Sequence, residues 1–188
     1  MIAKMKALKF LLLIIFTPYV LASQPDKHFF IGTWELEGVG PFKSFVIYHP
    51  PHTYKNSKNP IEFEIKGYGN FVTSDIMYGR YDVLIEFREN KKRLIADSGI
   101  WFHPLDREDN YIFDVRSKDV DIDNFKFPQN IKYPSHGFAI TRIIYVDNGI
   151  FSYEEYDPNS NSFNYFRAIR AKPITLNEIL KLPYHDEL

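Results

Sequence analysis

The chain has no cysteine, which excludes disulfides, thiol nucleophiles and cysteine metal sites. It also lacks a basic excess, with 23 lysines and arginines against 24 acidic residues, so we expect no nucleic-acid partner. The signatures G-x-S-x-G, H-E-x-x-H and G-x-x-x-x-G-K are absent from the sequence. No motif therefore points to an enzyme.

Long hydrophobic runs are scarce as well. One apolar run, Phe10 to Leu21, follows Lys4, Lys6 and Lys9 and precedes the small residue Ala22, as in a secretory signal. A membrane-spanning helix needs ~20 apolar residues, and this run is shorter and contains a proline. We predict that residues 1–22 are a cleaved signal peptide and that residues 23–188 form one domain without stable membrane insertion.

The last four residues, His185-Asp186-Glu187-Leu188, match the endoplasmic-reticulum retrieval signal. In a eukaryote, together with a signal peptide, they predict residence in the ER lumen and a retrieval receptor as partner. In a bacterium the tetrapeptide has no such meaning, and the protein is expected to be periplasmic or secreted.

The mature region reads as short extended segments separated by turn residues. Residues 61–67 and 80–88 alternate between apolar and charged side chains, which is typical of strands with one wet face. Asn148-Gly149 is a strong hairpin signal between two such segments. Residues 49–60 contain three prolines and are predicted not to continue a strand, and residues 117–136 are predicted to be an irregular connection. A capping box at Thr175 and Glu178 predicts a helix over residues 175–182.

These features predict an all-β fold, an antiparallel up-and-down barrel of about eight to nine strands with a short C-terminal helix. Closing the sheet into a barrel removes exposed strand edges, and a barrel of this size has room for side chains or one small ligand. A two-sheet sandwich is the competing architecture.

The segment Gly32-Thr33-Trp34-Glu35-Leu36-Glu37-Gly38 resembles the G-x-W signature of the calycin superfamily, which includes lipocalins and fatty-acid-binding proteins. Its form is most similar to nitrobindin-like haem-binding barrels, as is the closing stretch from Tyr145 to Ala168. The resemblance implies that a late arginine, Arg167 or Arg170, lies over Trp34 and closes the fold. It also implies haem as a possible cofactor, with Tyr165 at the position of the iron ligand.

The expected ligand-binding residues are Tyr153, Glu155 and Tyr165, which with Arg167 are candidates to point inward, and Trp101 and His103 at a cavity mouth. Glu154 and Glu155 are adjacent on a strand, so we predict that they point to opposite faces. His49 and His52 lack a third metal ligand nearby and are predicted to be exposed loop residues. Residues 119–130 lack the glycine and the glutamate of a calcium loop, so no metal site is predicted.

The predicted function is binding or carriage of a small apolar molecule, such as a fatty acid or a tetrapyrrole, inside the barrel. A second hypothesis is an isomerase or cyclase in which Tyr, Glu or Arg moves protons on an apolar substrate, and a buried Glu155 with a raised pKa would favour it. A third is a structural or interaction protein whose barrel interior is filled by side chains.

Overall fold

The computed structural model describes residues 28–38, 40–55, 58–65, 69–106, 111–116, 121–122, 130–133, 138–147, 149–157 and 160–185. The predicted signal peptide, most of the 117–136 connection and the last three residues lie outside this part of the chain. Within the described residues, no helix is long and apolar enough to cross a membrane.

The described part contains twelve strands and one short helix. In chain order they are β1 (Gly32–Leu36), β2 (Phe42–Tyr48), β3 (His52–Lys55), β4 (Ile61–Ile65), β5 (Gly69–Thr73), β6 (Asp75–Phe87), β7 (Arg93–Pro104), β8 (Tyr111–Arg116), β9 (Asn130–Tyr133), β10 (Phe138–Asp147), β11 (Ile150–Asp157), β12 (Ser162–Arg170) and α1 (Leu176–Ile179).

Eight of these strands form a closed antiparallel barrel in the order β1-β2-β6-β7-β8-β10-β11-β12. The ring closes where β12 pairs with β1, with Trp34 opposite Arg170. The predicted barrel is therefore confirmed, as are the short helix and its capping box: the Thr175 hydroxyl accepts from the Glu178 amide, and the Glu178 carboxylate accepts from the Thr175 amide. The helix ends at Ile179, earlier than predicted.

The remaining strands lie outside the ring. β3 pairs with the start of β6, so the prediction that residues 49–60 contain no strand is wrong. The prolines flank β3 instead of interrupting it, as is usual at a sheet edge. A separate sheet, β5-β4-β9, contains a parallel β4–β9 pair, so the chain is not a simple meander, and part of the 117–136 connection is a strand. We call this three-stranded sheet the covering sheet.

The covering sheet packs on the outer wall of the barrel. Ile61 of β4 and Phe71 of β5 contact a cluster that includes Phe102 of β7 and Phe113 of β8. The rings of Phe102 and Phe113 stack 5.1 Å apart. The outward face of β7 and β8 is therefore apolar and buried.

The C-terminal segment covers another part of the outer wall. Ile174 and Ile179 are buried against Phe45, Leu84 and Ile95 of β2, β6 and β7. The Ile95 amide donates to the Pro183 carbonyl oxygen at 2.9 Å. This packing extends the closure of the barrel beyond the β1–β12 pairing.

One half of the barrel interior is filled by an aromatic plug, which we define as Phe30, Trp34, Tyr48, Trp101 and Phe151. Neighbouring rings meet edge to face, Phe30 with Trp101 at 4.8 Å and Trp34 with Phe151 at 4.4 Å between centroids. The Trp34 Nε1–H donates to the Phe30 carbonyl oxygen at 2.6 Å. The plug closes the end of the barrel where β1 begins, and leaves the other half for a site.

Candidate functional site

A cavity of about 270 Å³ occupies the half of the barrel opposite the aromatic plug. It lies at the end where β1 and β8 finish, and it opens to solvent past Arg116, whose side chain is 61% exposed. Its wall takes inward-facing side chains from eight strands: Leu36, Val46, Tyr48, Tyr81, Val83, Asp97, Asp114, Arg116, Thr141, Tyr153, Glu155 and Phe166.

Three carboxylates face this cavity from three different strands: Asp97 of β7, Asp114 of β8 and Glu155 of β11. Arg116 supplies a guanidinium to the described part of the wall, and its Nε lies 2.9 Å from Asp97 Oδ2. Asp97 Oδ1 also accepts from the Ser98 amide at 2.9 Å. Asp97 is therefore satisfied, whereas Asp114 and Glu155 form no ion pair among the described residues and interact with the Arg116 charge only at longer range.

Asp114 is the least satisfied of the three. Its Oδ1 is fully buried and has no hydrogen-bond partner, while its Oδ2 accepts only a 3.3 Å bond from Thr141 Oγ1. Burial, together with the nearby charge of Glu155, raises the pKa of Asp114 to about 8. A carboxyl with this pKa holds its proton through most of the neutral range.

The other acidic groups are also held towards their protonated forms. Burial raises the pKa of Glu155, although the Arg116 charge opposes the shift. The pKa of Asp97 is raised for the same reason and is opposed by the same arginine. Burial also raises the pKa values of Tyr48, Tyr81 and Tyr153 above the usual tyrosine range, so their hydroxyls stay neutral.

Of the predicted ligand-binding residues, Tyr153 and Glu155 lie in the cavity wall. Trp101 is fully buried in the plug, where Gly79 allows its close approach: a Cβ at position 79 would lie 2.7 Å from Trp101 Nε1. His103 is also buried and lies two residues beyond Trp101 along β7, further from the cavity. Neither residue lines the mouth of the cavity.

The prediction that Tyr165 and Arg167 point inward is wrong. Tyr165 is 74% exposed, and Arg167 binds Glu37 on the outer surface at 2.7 Å. The inward residues of β12 are their neighbours Phe166, in the cavity wall, and Ala168, in the plug cluster. Glu154 and Glu155 do face opposite ways: Glu155 lines the cavity, while Glu154 forms an ion pair with Arg142.

Arg170, rather than Arg167, lies over Trp34, with its guanidinium carbon 3.6 Å from the ring centroid. Its two terminal nitrogens donate to the carbonyl oxygens of Ile31 and Phe29, both at 2.6 Å. Gly32 leaves space for this side chain: its φ is +125°, and a Cβ there would lie 2.5 Å from Arg170 Nη1. The glycine and the tryptophan of the G-x-W motif therefore both contribute to the contact with Arg170.

The residues do not fit the haem site that the resemblance implies. Tyr165, at the position of the iron ligand, faces away from the interior, and the described residues that line the cavity include no histidine. Among the described residues, no group of three or more histidines and carboxylates is arranged to hold a metal ion. In the segment 119–130, for which no calcium loop is predicted, Asp119 and Asp123 lie outside the described part.

The histidine prediction is wrong for His49. This side chain is only 11% exposed, and its Nε2 lies 2.8 Å from Asp82 Oδ2. Asp82 is fully buried and also accepts from Arg80 and Ser98. His52 is exposed and lies beside Tyr78. The network around Asp82 faces outward beneath the C-terminal segment, where Tyr184 donates to Ser98 Oγ at 3.3 Å.

No protein family, no curated protein and no solved structure matches the chain. The chemistry of the cavity wall is therefore the main guide to function.

Sequence reasoning missed Asp114, Asp97 and Arg116. In β8 the apolar residues Phe113 and Val115 alternate with Asp114 and Arg116, a pattern that normally places the charged residues in water. The covering sheet reverses this assignment, because it buries Phe113 and Val115 outside the barrel. If both faces of β8 are expected to be covered, Asp114 and Arg116 become candidates to line the barrel interior.

Proposed function

We propose that this protein is an exported small-molecule binding or carrier protein whose ligand occupies the cavity. The main support is a cavity of about 270 Å³ in which a buried carboxylate oxygen of Asp114 lacks a partner. Ligand sites combine an apolar wall with a few polar groups that fix orientation. Leu36, Val46 and Val83 supply the apolar wall, and Asp114 and Glu155 supply the polar groups.

The cavity volume favours a compact ligand. An apolar cavity of roughly 150 Å³ accepts benzene, and sites for drug-sized molecules begin at ~300 Å³. A cavity of about 270 Å³ therefore suits one ring with a short side chain better than a tetrapyrrole or a long fatty acid.

Export is supported by the signal-like pattern of residues 1–22. The resemblance of the first and last strands to calycin barrels, many of which carry small molecules, supports the same class of function. The compartment follows from the source: the ER lumen in a eukaryote, or the periplasm or exterior in a bacterium.

An isomerase or cyclase is the second candidate. The raised pKa of Glu155 favours it, because a carboxyl that titrates nearer to neutrality is suited to general acid–base chemistry. The neutral hydroxyls of Tyr48 and Tyr153 are further proton donors in the same wall. A filled, purely structural barrel is disfavoured by the cavity.

Native mass spectrometry of the protein purified from its source tests the binding function. We expect a bound species of small mass that is lost in Leu36→Trp, which fills the cavity, and kept in Leu180→Trp, since Leu180 is 62% exposed on the outer surface. A bound species retained equally by both variants, or no bound species at all, would contradict a ligand in the barrel.

A further inference from the structure

We propose that the cavity takes a small protonated amine with an apolar body, whose ammonium group lies between Asp114 and Glu155. This inference rests on the proposed binding function and specifies the chemical class of its ligand. It depends on the charges, the unsatisfied atoms and the ring faces of the cavity wall.

The charges of the wall do not balance. Among the described residues of the wall, Asp97, Asp114 and Glu155 face one guanidinium, that of Arg116, which already binds Asp97 at 2.9 Å. Glu155, and Asp114 once the incoming ammonium displaces its proton, therefore make this part of the cavity complementary to a cation and unfavourable for an anion.

The unsatisfied atoms match an ammonium group. Asp114 Oδ1 is buried without a partner, and Glu155 accepts no side-chain hydrogen bond within the described part of the chain. An ammonium has three N–H donors and no acceptor. In the proposed arrangement two of them bind the carboxyls and the third binds the neutral hydroxyl of Tyr48 or Tyr153, which line the same cavity. Hydrogen bonds between charged partners are roughly twice as strong as neutral ones.

The rest of the wall suits an apolar body next to a positive charge. Tyr48, Tyr81, Tyr153 and Phe166 bring aromatic rings from four strands, and a ring face attracts a cation by ~0.5–2 kcal/mol as water is excluded. The aliphatic residues Leu36, Val46 and Val83 surround the remaining space. A ring with a short aminoalkyl chain uses both features.

Binding is expected to depend on pH. The groups that face Asp114 are Glu155, Thr141, Asp97, Arg116 and the three cavity tyrosines. In the free protein Asp114 holds a proton up to about pH 8, and the incoming ammonium displaces it. Affinity should therefore rise with pH to about 8 and fall once the amine itself loses its charge near pH ~10, as lysine does.

Calorimetry with three probes of similar shape tests the inference: 2-phenylethylamine, 2-phenylethanol and phenylacetate. We expect the amine to bind roughly tenfold or more tightly than the alcohol, phenylacetate not to bind, and a proton to be released on amine binding near neutral pH. Proton release is measured by repeating the titration in buffers of different ionisation enthalpy.

Variants then locate the contact. Asp114→Asn and Glu155→Gln should each lower the amine affinity about tenfold and leave that of the alcohol unchanged, while the control Glu62→Gln, exposed on the covering sheet, changes neither. If the alcohol or phenylacetate binds as well as the amine, the amine inference fails and the binding function stands. If no probe binds and native mass spectrometry finds no ligand, both fail.

Discussion

Replacing Asp114 by asparagine should make the protein more stable at alkaline pH. The side chains have the same shape, and the asparagine oxygen can still accept the bond from Thr141. The substitution removes a carboxyl whose buried Oδ1 has no hydrogen-bond partner. It therefore isolates the free-energy cost of ionising this group inside the barrel.

The size of the effect follows from proton linkage. The native state keeps the Asp114 proton up to about pH 8, whereas an unfolded chain loses it near the ordinary value of 3.8. Because the native state binds more protons over this interval, its stability falls as pH rises from 3.8 to 8 and is then level. At ~1.4 kcal/mol per pH unit the upper bound is about 6 kcal/mol. Water in the open cavity should reduce this to about 2–3 kcal/mol.

Urea unfolding, followed by the fluorescence of the two buried tryptophans, measures this difference. At about pH 5 the variant and the wild type should differ little, and at about pH 8.5 the variant should be ~2–3 kcal/mol more stable. Glu62→Gln serves as the control for loss of an exposed carboxylate. A variant that is no more stable than the wild type at the higher pH would refute the assignment of a protonated Asp114.

Three further predictions concern the fold. Trp34→Ala should lower stability by about 3–5 kcal/mol before it alters ligand binding, whereas an unchanged melting temperature would remove Trp34 from the core. Gly32→Ala should cost about 1–3 kcal/mol in thermal unfolding, because its φ is +125° and a Cβ would meet Arg170; a neutral effect would mean that Arg170 is not held there. Burial raises the pKa of Asp82, but bonds from His49, Arg80 and Ser98 lower it below its ordinary value. Asp82 should thus stabilise the protein above about pH 4 by about 3 kcal/mol relative to Asp82→Asn, a difference that shrinks in urea unfolding at lower pH.

Local pattern was sufficient for most barrel strands. The observed bounds of β2, β8 and β11, Phe42–Tyr48, Tyr111–Arg116 and Ile150–Asp157, are those that alternation and turn residues predict. The contact of Arg170 with Trp34 was one of the two alternatives implied by the resemblance. These features are set by residues that are neighbours in sequence or by a motif at each end of the chain.

The site was less predictable because it depends on distant contacts. Alternation shows that the two faces of a strand differ but does not show which face is inside the barrel, so it cannot place Asp114 and Arg116 of β8 in the cavity wall. The parallel pairing of β4 with β9 joins segments far apart in sequence, and no local sequence pattern predicts it. The predicted inward residues of β12, Tyr165 and Arg167, are one position out of phase with the observed ones, Phe166 and Ala168.

The covering sheet has a consequence for how this barrel can change. In an ordinary small barrel, the lumen is the hydrophobic core, and each polar residue placed there weakens the fold. Here the apolar side chains of the wall around β8 are buried on its outer side, where Phe102 and Phe113 pack. Inward-facing residues of that wall therefore contribute less to stability. They can be substituted to suit a new ligand while the outer layer keeps the barrel closed.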